Sequence, residues 1–317
     1  MYKLSVISGF LGKVANRFLQ YQENIEFEEK VKLAGSIEGL DGLELCYPGD
    51  FADPGKTIAL MKDSGLGVSS INFRSRRNDR WLRGSFTSNS ESERNEVVAD
   101  FKTVVDIAAE MGCEKVTTCP LNEGSDYLFE MDYAEAYSNF EDSIRKVARH
   151  NKDIKICLES KLSGPRVRCL LGTAGETIAF CDQLDEKNVG LTLDIGHSLY
   201  ANERPAQSLV LAERSNRLFH VHLNDNDKQW DWDMMPGAYN IWDFVEFFYY
   251  LNRSSYSGWC AFDIFPKEQD KKATFETSVL ITKKLYKIAE SLDEAELKKL
   301  FSERNPNKSI SYLFSLI

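Results

Sequence analysis

The chain has 317 residues, 43% of them apolar and 28% charged, enough for one large core and still within the length of a single α/β barrel. Its 49 acidic against 39 basic side chains give a net charge of −10, the wrong sign for gripping a phosphate backbone, so nucleic acid is not an expected partner. No apolar run approaches a membrane span, MYKLSVISGFLG is too short in apolar residues for a signal peptide, and seven widely spaced cysteines form no C-x-x-C pair. A cytoplasmic protein with buried, reduced thiols is expected.

Residues 4–8 read as a first strand and 27–37 as a first helix. A second strand, 39–47, carries Glu44 inside it. Asp53-Pro54 starts a helix that ends near Ser64-Gly65, because Asp caps a first turn and Pro tolerates its first position. Strand three, 66–73, contains Asn72, and an irregular stretch, 74–90, follows with Trp81 and Phe86; a connection of that length reads as a lid or an insert. Ser92 opens the clearest helix, with Val97, Val98, Phe101, Val104, Val105, Ala108 and Met111 on one face and Gly112 as its stop. Strand four, 115–119, leads to a polar and aromatic loop with Glu123, Tyr127 and Phe129, then a helix over 134–149.

Strand five is 153–159, followed by SKLSGPRVR and a helix over 174–183. Strands six (189–194), seven (218–223) and eight (259–265) alternate with helices over 206–213 and 242–252; Trp230 and Trp232 lie between strand seven and its helix. A last helix, 275–291, closes the pattern. Eight such units without a composition break predict a (β/α)8 TIM barrel over 1–291, with a C-terminal extension, 292–317, placed to brace the barrel base or a neighbouring subunit. An open doubly wound sheet fits less well. No Gly-x-Gly-x-x-Gly follows any strand, and an open sheet would not gather strands five to eight around one point.

Those four strands read IKICLES, VGLTLDIGH, LFHVHLND and WCAFDIF, so Glu159, Asp194, His222 and Asp263 face away from the apolar residues that meet the helices. Each alone has a plainer role, a strand-end acid as helix cap or a barrel histidine as a hydrogen-bonded core residue. Together they are four polar groups on adjacent inner faces, costly to bury unpaired, and a divalent cation with mixed carboxylate and imidazole ligands removes that cost. His220, two residues before His222 on the same face, is expected deeper in the barrel as support. His197 follows Asp194 in Asp-Ile-Gly-His, where Gly196 lets the chain turn; it is placed either to reach a substrate oxygen or to pack in the loop.

CLESK with PRVR downstream, LTLDIGHS, LFHVHLNDN, MMPGAYNIWDF and FDIFPKEQD together resemble, in order and spacing, the xylose isomerase-like sugar isomerase and epimerase superfamily. The resemblance covers the barrel, is most specific over 159–270, and is weak over the extension. It implies Glu159, Asp194, His222 and Asp263 as ligands of one divalent ion, Mn2+ or Mg2+ foremost, with Co2+ and Zn2+ also suited, and His197 as a substrate contact. It further implies a sugar or sugar derivative as substrate, with Glu159 and Asp263 as base and acid through an enediolate. Asp263 is one methylene shorter than the Glu of many related epimerases, which leaves a metal-assisted hydride shift open. Glu44, Asn72 and Glu123 are candidates for sugar hydroxyls; Arg166 and Arg168 either clamp a phosphate or carboxylate or solvate their loop. The loop aromatics suit a sugar face, an aryl group or a subunit interface, and Asn224 and Asp225 are candidate supporting groups. A lyase on the same scaffold, inosose dehydratase-like or the barrel subunit of a C-glycoside deglycosidase, is the alternative. DNA-repair endonucleases on this barrel need a histidine-rich multi-metal centre, and only four histidines are present. A non-catalytic scaffold ranks lower, because it would have lost ligands and this chain keeps the set. Homo-oligomerisation or a partner subunit remains compatible with the sequence.

Overall fold

Alternation along eight short strands builds the centre of the molecule. In the computed structural model, which describes residues 1–16, 18–76, 80–164 and 167–316, these are β1 (Lys3–Ile7), β2 (Gly42–Tyr47), β3 (Gly67–Phe73), β4 (Lys115–Thr118), β5 (Lys155–Glu159), β6 (Val189–Asp194), β7 (Leu218–Leu223) and β8 (Trp259–Phe262). Each pairs in parallel with its sequence neighbours, and β8 pairs with β1, so the sheet is a closed barrel. Val6, Leu43, Leu45, Ile71, Val116, Ile156, Leu158, Leu193, Val221 and Phe262 are buried apolar positions of these strands and meet the surrounding helices. Their polar or small alternates, Ser5, Glu44, Thr117, Thr192 and His220, fill the inside.

The helices are α1 (Phe27–Gly35), α2 (Pro54–Ser64), α3 (Glu91–Met111), α4 (Tyr133–Ala148), α5 (Ala174–Leu184), α6 (Ile195–Tyr200), α7 (Pro205–Arg214), α8 (Ile241–Arg253), α9 (Lys271–Glu290), α10 (Glu294–Glu303) and α11 (Pro306–Phe314). Their ends follow local chemistry. The Asp53 side chain accepts from Lys56 N at the start of α2, which stops at left-handed Gly65; α3 is capped by Ser90, two residues before the expected start, and stops at Gly112. The extension is two helices packed along α8, with Phe314 5.5 Å from Trp242. No helix among the described residues is long and apolar enough to cross a membrane.

Two registers position the site. Asp194 of β6 pairs with His222 of β7, and Thr192 of β6 pairs with Glu159 of β5, so three of the expected ligands reach the C-terminal rim together. The eighth strand ends at Phe262, earlier than the alternation suggests; Asp263 lies just beyond it, its N–H still donating to Leu223 O at 3.3 Å. Arg166 lies outside the described residues.

Candidate metal centre

Glu159, Asp194, His222 and Asp263 each offer a ligand atom, and all four atoms lie within 4.8 Å of one another. His222 Nδ1 is 3.3 Å from Glu159 Oε1, 3.7 Å from Asp194 Oδ2 and 3.8 Å from Asp263 Oδ2. Its other nitrogen, Nε2, is 3.1 Å from Glu44 Oε2. A proton donated from Nε2 to Glu44 fixes the ring and turns the Nδ1 lone pair toward the three carboxylates, the orientation a metal-bound imidazole needs. Glu159, Asp194 and His222 are buried, whereas the Asp263 side chain is 16% exposed, which makes it the ligand nearest solvent.

The electrostatics fit a missing positive charge. Burial first, and then the charges of Glu159 and Asp194, push Asp263 up to about 7. Burial likewise raises Asp194. Glu159 resists the same burial because His222 and His197 hold it well below the usual carboxylate range. Burial disfavours a charged His222, yet Glu44 and Glu159 raise it well above an ordinary imidazole. In this protein a proton on His222 supplies the charge that a divalent cation supplies better. Three carboxylates and one imidazole suit Mn2+, Mg2+, Co2+ or Zn2+.

Beneath this cluster lies a second one. Glu44 Oε1 accepts from Asn72 Nδ2 and Thr117 Oγ1, both at 2.9 Å, and Oε2 accepts from His220 Nε2 at 2.9 Å and from His222 Nε2. Every lone-pair direction of this fully buried carboxylate is used. Glu44, His220 and His222 also satisfy metal-ligand distances, but here hydrogen bonds already satisfy the carboxylate. Glu44, expected to meet sugar hydroxyls, therefore acts on His222 and does not line the pocket, while Asn72 does. His220, brought down to about 4 by burial and Lys115, is neutral and supports Glu44 from below.

Asp194 combines both of its expected roles. Oδ1 caps α6 by accepting from His197 N at 2.8 Å, and Oδ2 accepts from Asn224 Nδ2 at 2.7 Å. Gly196 does not turn the chain, as the sequence suggests. It lies within α6, and a Cβ there would overlap Asn224 Oδ1. Its smallness is what lets Asn224 reach Asp194. Asp225 takes the N–H groups of Tyr239 and Asn240 and so fixes the 234–240 segment.

His197 Nδ1 donates to Ser160 O at 3.0 Å and lies 3.1 Å from Glu159, while Nε2 is 3.3 Å from Asp231. Asp231 also receives the Lys161 ammonium at 2.5 Å. A chain of alternating charge, Lys161, Asp231, His197, Glu159, thus runs beside the site. Burial opposes the charges of Lys161, Asp231 and His197, but their partners keep all three ionised: Lys161 and His197 are raised and Asp231 is lowered. Half-buried Asp233 is raised well above its usual value by burial, Asp231 and Asp263. Lys161, Asp231 and Asp233 were absent from the sequence-based site. Lys161 stands two residues after Glu159, but no spacing rule connects it to Asp231, which lies in an irregular loop.

Above the four donors opens a cavity of about 440 Å³, lined among others by Asn72, Arg74, Glu159, Lys161, His197 and Asp263. Arg168 is exposed on a short antiparallel pair with Ser125 and does not line it. Glu123, a candidate for sugar contact, is fully buried. It accepts from the N–H groups of Ser85, Phe86 and Thr87 and from the Ser85 and Thr87 hydroxyls, pinning that part of the long connection. Trp81 and Phe86 are packed inside the same connection, whereas Tyr127, Phe129 and Trp232 are exposed. Six cysteines are buried and Cys119 partly so, all free; burial and then Glu159 push Cys119 up, so its thiol stays protonated and is no nucleophile.

Known proteins give a consistent picture. The family description "Xylose isomerase-like TIM barrel" matches residues 32–285. Among solved structures, an L-ribulose 3-epimerase superposes with a TM-score of 0.73 at 20% identity over 94% of this chain and 98% of its own. A 3-keto-D-glucoside 4-epimerase from E. coli gives 0.69 at 18% identity over 90% and 100%. The IOLI protein, with a bound zinc atom, gives 0.65 at 17% over 90% and 97%. At such identities the likeness carries the barrel fold.

Proposed function

The chain belongs to the xylose isomerase-like TIM-barrel family, and on that premise we propose that it is a divalent-metal-dependent isomerase or epimerase of a sugar or sugar derivative. The observation that carries this reading is the set of four ligand atoms of Glu159, Asp194, His222 and Asp263 within 4.8 Å, at the barrel end where such folds do chemistry. These four residues would hold one Mn2+, Mg2+ or related ion. When bound, the ion polarises the substrate carbonyl and acidifies the proton on the neighbouring carbon.

The chain's own groups then divide the proton transfer. Glu159, held ionised by His222 and His197, accepts the carbon-bound proton. Asp263, across the site from it, is placed to return one. Glu159 ends β5 and Asp263 follows β8, with β6 and β7 between them, as attack on opposite faces of a substrate requires. His197, fixed through Nδ1 by Ser160 O, has Nε2 without a hydrogen bond and so offers it as a donor to a substrate oxygen. The structures of an L-ribulose 3-epimerase and a 3-keto-D-glucoside 4-epimerase on the same barrel support the substrate class.

Metal analysis of the purified protein is expected to find about one divalent ion per chain. Incubation in deuterated water with ketoses, keto-inositols and 3-keto-glycosides is expected to label one carbon position of the accepted substrate. A dehydrated or cleaved product would instead mean the lyase chemistry. Absence of both bound metal, after reconstitution, and turnover would leave only a scaffold role.

A further inference from the structure

The cavity above the metal centre has an acidic floor and a basic wall. Glu159, Asp233 and Asp263 form one side; Lys13, Arg74 and Arg76, from the segments that follow β1 and β3, form the other. In a protein of net charge −10 such a gathering of cations is out of character. All three are exposed to the water of the cavity. Lys13 and Arg76 have no carboxylate within ion-pair distance among the described residues, and Arg76 is lowered from its ordinary value by its recess and then by the positive charge of Arg74. Two guanidinium groups lining one wall of a concave site make a place where an anion can be held.

Arg74 is built into its place. Its guanidinium lies over Gly9, where a Cβ would approach Nη2 to 2.6 Å, and Nη2 donates to Cys46 Sγ at 3.3 Å. The absence of a side chain at residue 9 is thus the slot that holds the cation. Arg74 lines the same cavity as the solvent-facing ligand Asp263 and Arg76.

We propose that the pocket takes a sugar derivative bearing an anionic substituent, a carboxylate or a phosphate ester, which Arg74 and Arg76 bind while the carbonyl end reaches the metal centre. This rests on the metal-dependent sugar reading above. Arg168, which the sequence leaves open as an anion clamp or a solvated loop residue, does not line this cavity.

The test uses the metal-loaded full chain, with Arg76→Gln and, as a charge-matched control away from the cavity, Lys62→Gln on the exposed face of α2. Binding of inorganic phosphate and of D-gluconate is measured by calorimetry, and solvent deuterium exchange is measured on neutral ketoses, ketose phosphates and keto-sugar acids. Binding of at least one anion is expected, weakened about 10- to 100-fold by Arg76→Gln and unaffected by Lys62→Gln. The anionic sugars are expected to exchange at least about tenfold faster per unit concentration than neutral ones. Preference for phosphate or for gluconate, matched by the faster sugar series, decides between the two substituents. Neither anion binding, or equal affinity in Arg76→Gln and wild type, overturns the anion site, even if neutral ketoses turn over. Arg76-dependent anion binding with no exchange on any sugar upholds the anion site and removes the catalytic reading instead.

Discussion

Two clusters of acid and histidine share His222, and they differ in one respect. Around Glu44, hydrogen bonds from Asn72, Thr117, His220 and His222 saturate the carboxylate. Around Nδ1 of the same ring, Glu159, Asp194 and Asp263 crowd together, and Asp263 keeps its proton up to about 7. The lower carboxylate is neutralised by protein donors, although His220 Nδ1 beside it has no hydrogen-bond partner, whereas the three upper carboxylates share one imidazole. Residue type and proximity are nearly the same in both, so the crowding of carboxylates in the upper cluster is what the proposed metal site rests on.

The sharpest way to break the comparison is to neutralise one carboxylate in each layer. Glu159→Gln removes both a ligand and the proposed base; turnover is expected to fall by about 10³-fold or more, with loss of bound metal. Glu44→Gln keeps every ligand but disturbs the partner of His222 Nε2, along with the bonds from Asn72, Thr117 and His220; metal affinity is expected to drop about 10- to 100-fold, with activity restored by excess metal. Metal content by elemental analysis and turnover against metal concentration distinguish the two. Equal losses that excess metal does not rescue would mean that Glu44 takes part in the chemistry itself.

A second difference is in the response to pH. In the folded, metal-free protein Asp263 is raised to about 7, whereas an unfolded chain releases that proton near about 4. Between these values the folded state holds the extra proton, so the contribution is full below about pH 4 and is lost as pH rises toward 7. His222, also raised, acts in the same direction, while Glu159, lowered, loses its contribution only as pH falls through the acidic range. The denaturation midpoint of metal-free protein is therefore expected to fall between about pH 5 and pH 7.5. Asp263→Asn should flatten that fall, and added Mn2+ should reverse it, since the ligands bind deprotonated. A metal-free wild type whose midpoint is level over this interval would show that Asp263 is already ionised there.

The barrel and its four donors were readable in the chain because both rest on a period of two and on parallel neighbours. Once Glu159, Asp194 and His222 end consecutive strands, closure brings them to one rim. Asp263 was found although β8 stops one residue before it, since alternation continues for a residue beyond the ladder. What could not be read were pairings between segments with no periodic relation: Lys161 with Asp231 across 70 residues, and Glu123 with Ser85 across 38. Arg168 could not be placed either: the sequence leaves a substrate clamp and a solvated loop residue both open, and only the backbone pairing with Ser125 puts it on an exposed strand that does not line the cavity.

Gly196 offers the mildest test and separates two explanations of the same residue. A glycine kept for turning the chain would have a positive φ, and Gly196 is not among the glycines that do. It sits in α6 with ordinary helical neighbours, and the space above it is filled by the Asn224 amide that donates to Asp194. In Gly196→Ala the helix itself gains from alanine's better propensity, by up to about 1 kcal/mol. The new methyl, however, must displace Asn224, which overpacks a buried site at about 1–3 kcal/mol and strips Asp194 of one hydrogen bond. The net expectation is a loss of about 1–2 kcal/mol in denaturant unfolding, together with a weaker metal site, because Asp194 is then held only by its cap to His197 N. The double change Gly196→Ala with Asn224→Ala removes the clash but not the missing hydrogen bond, so it should recover most of the stability and little of the metal affinity. If the double variant regains both, Asn224 has no part in orienting Asp194, and the upper cluster depends on fewer protein contacts than its neighbour below.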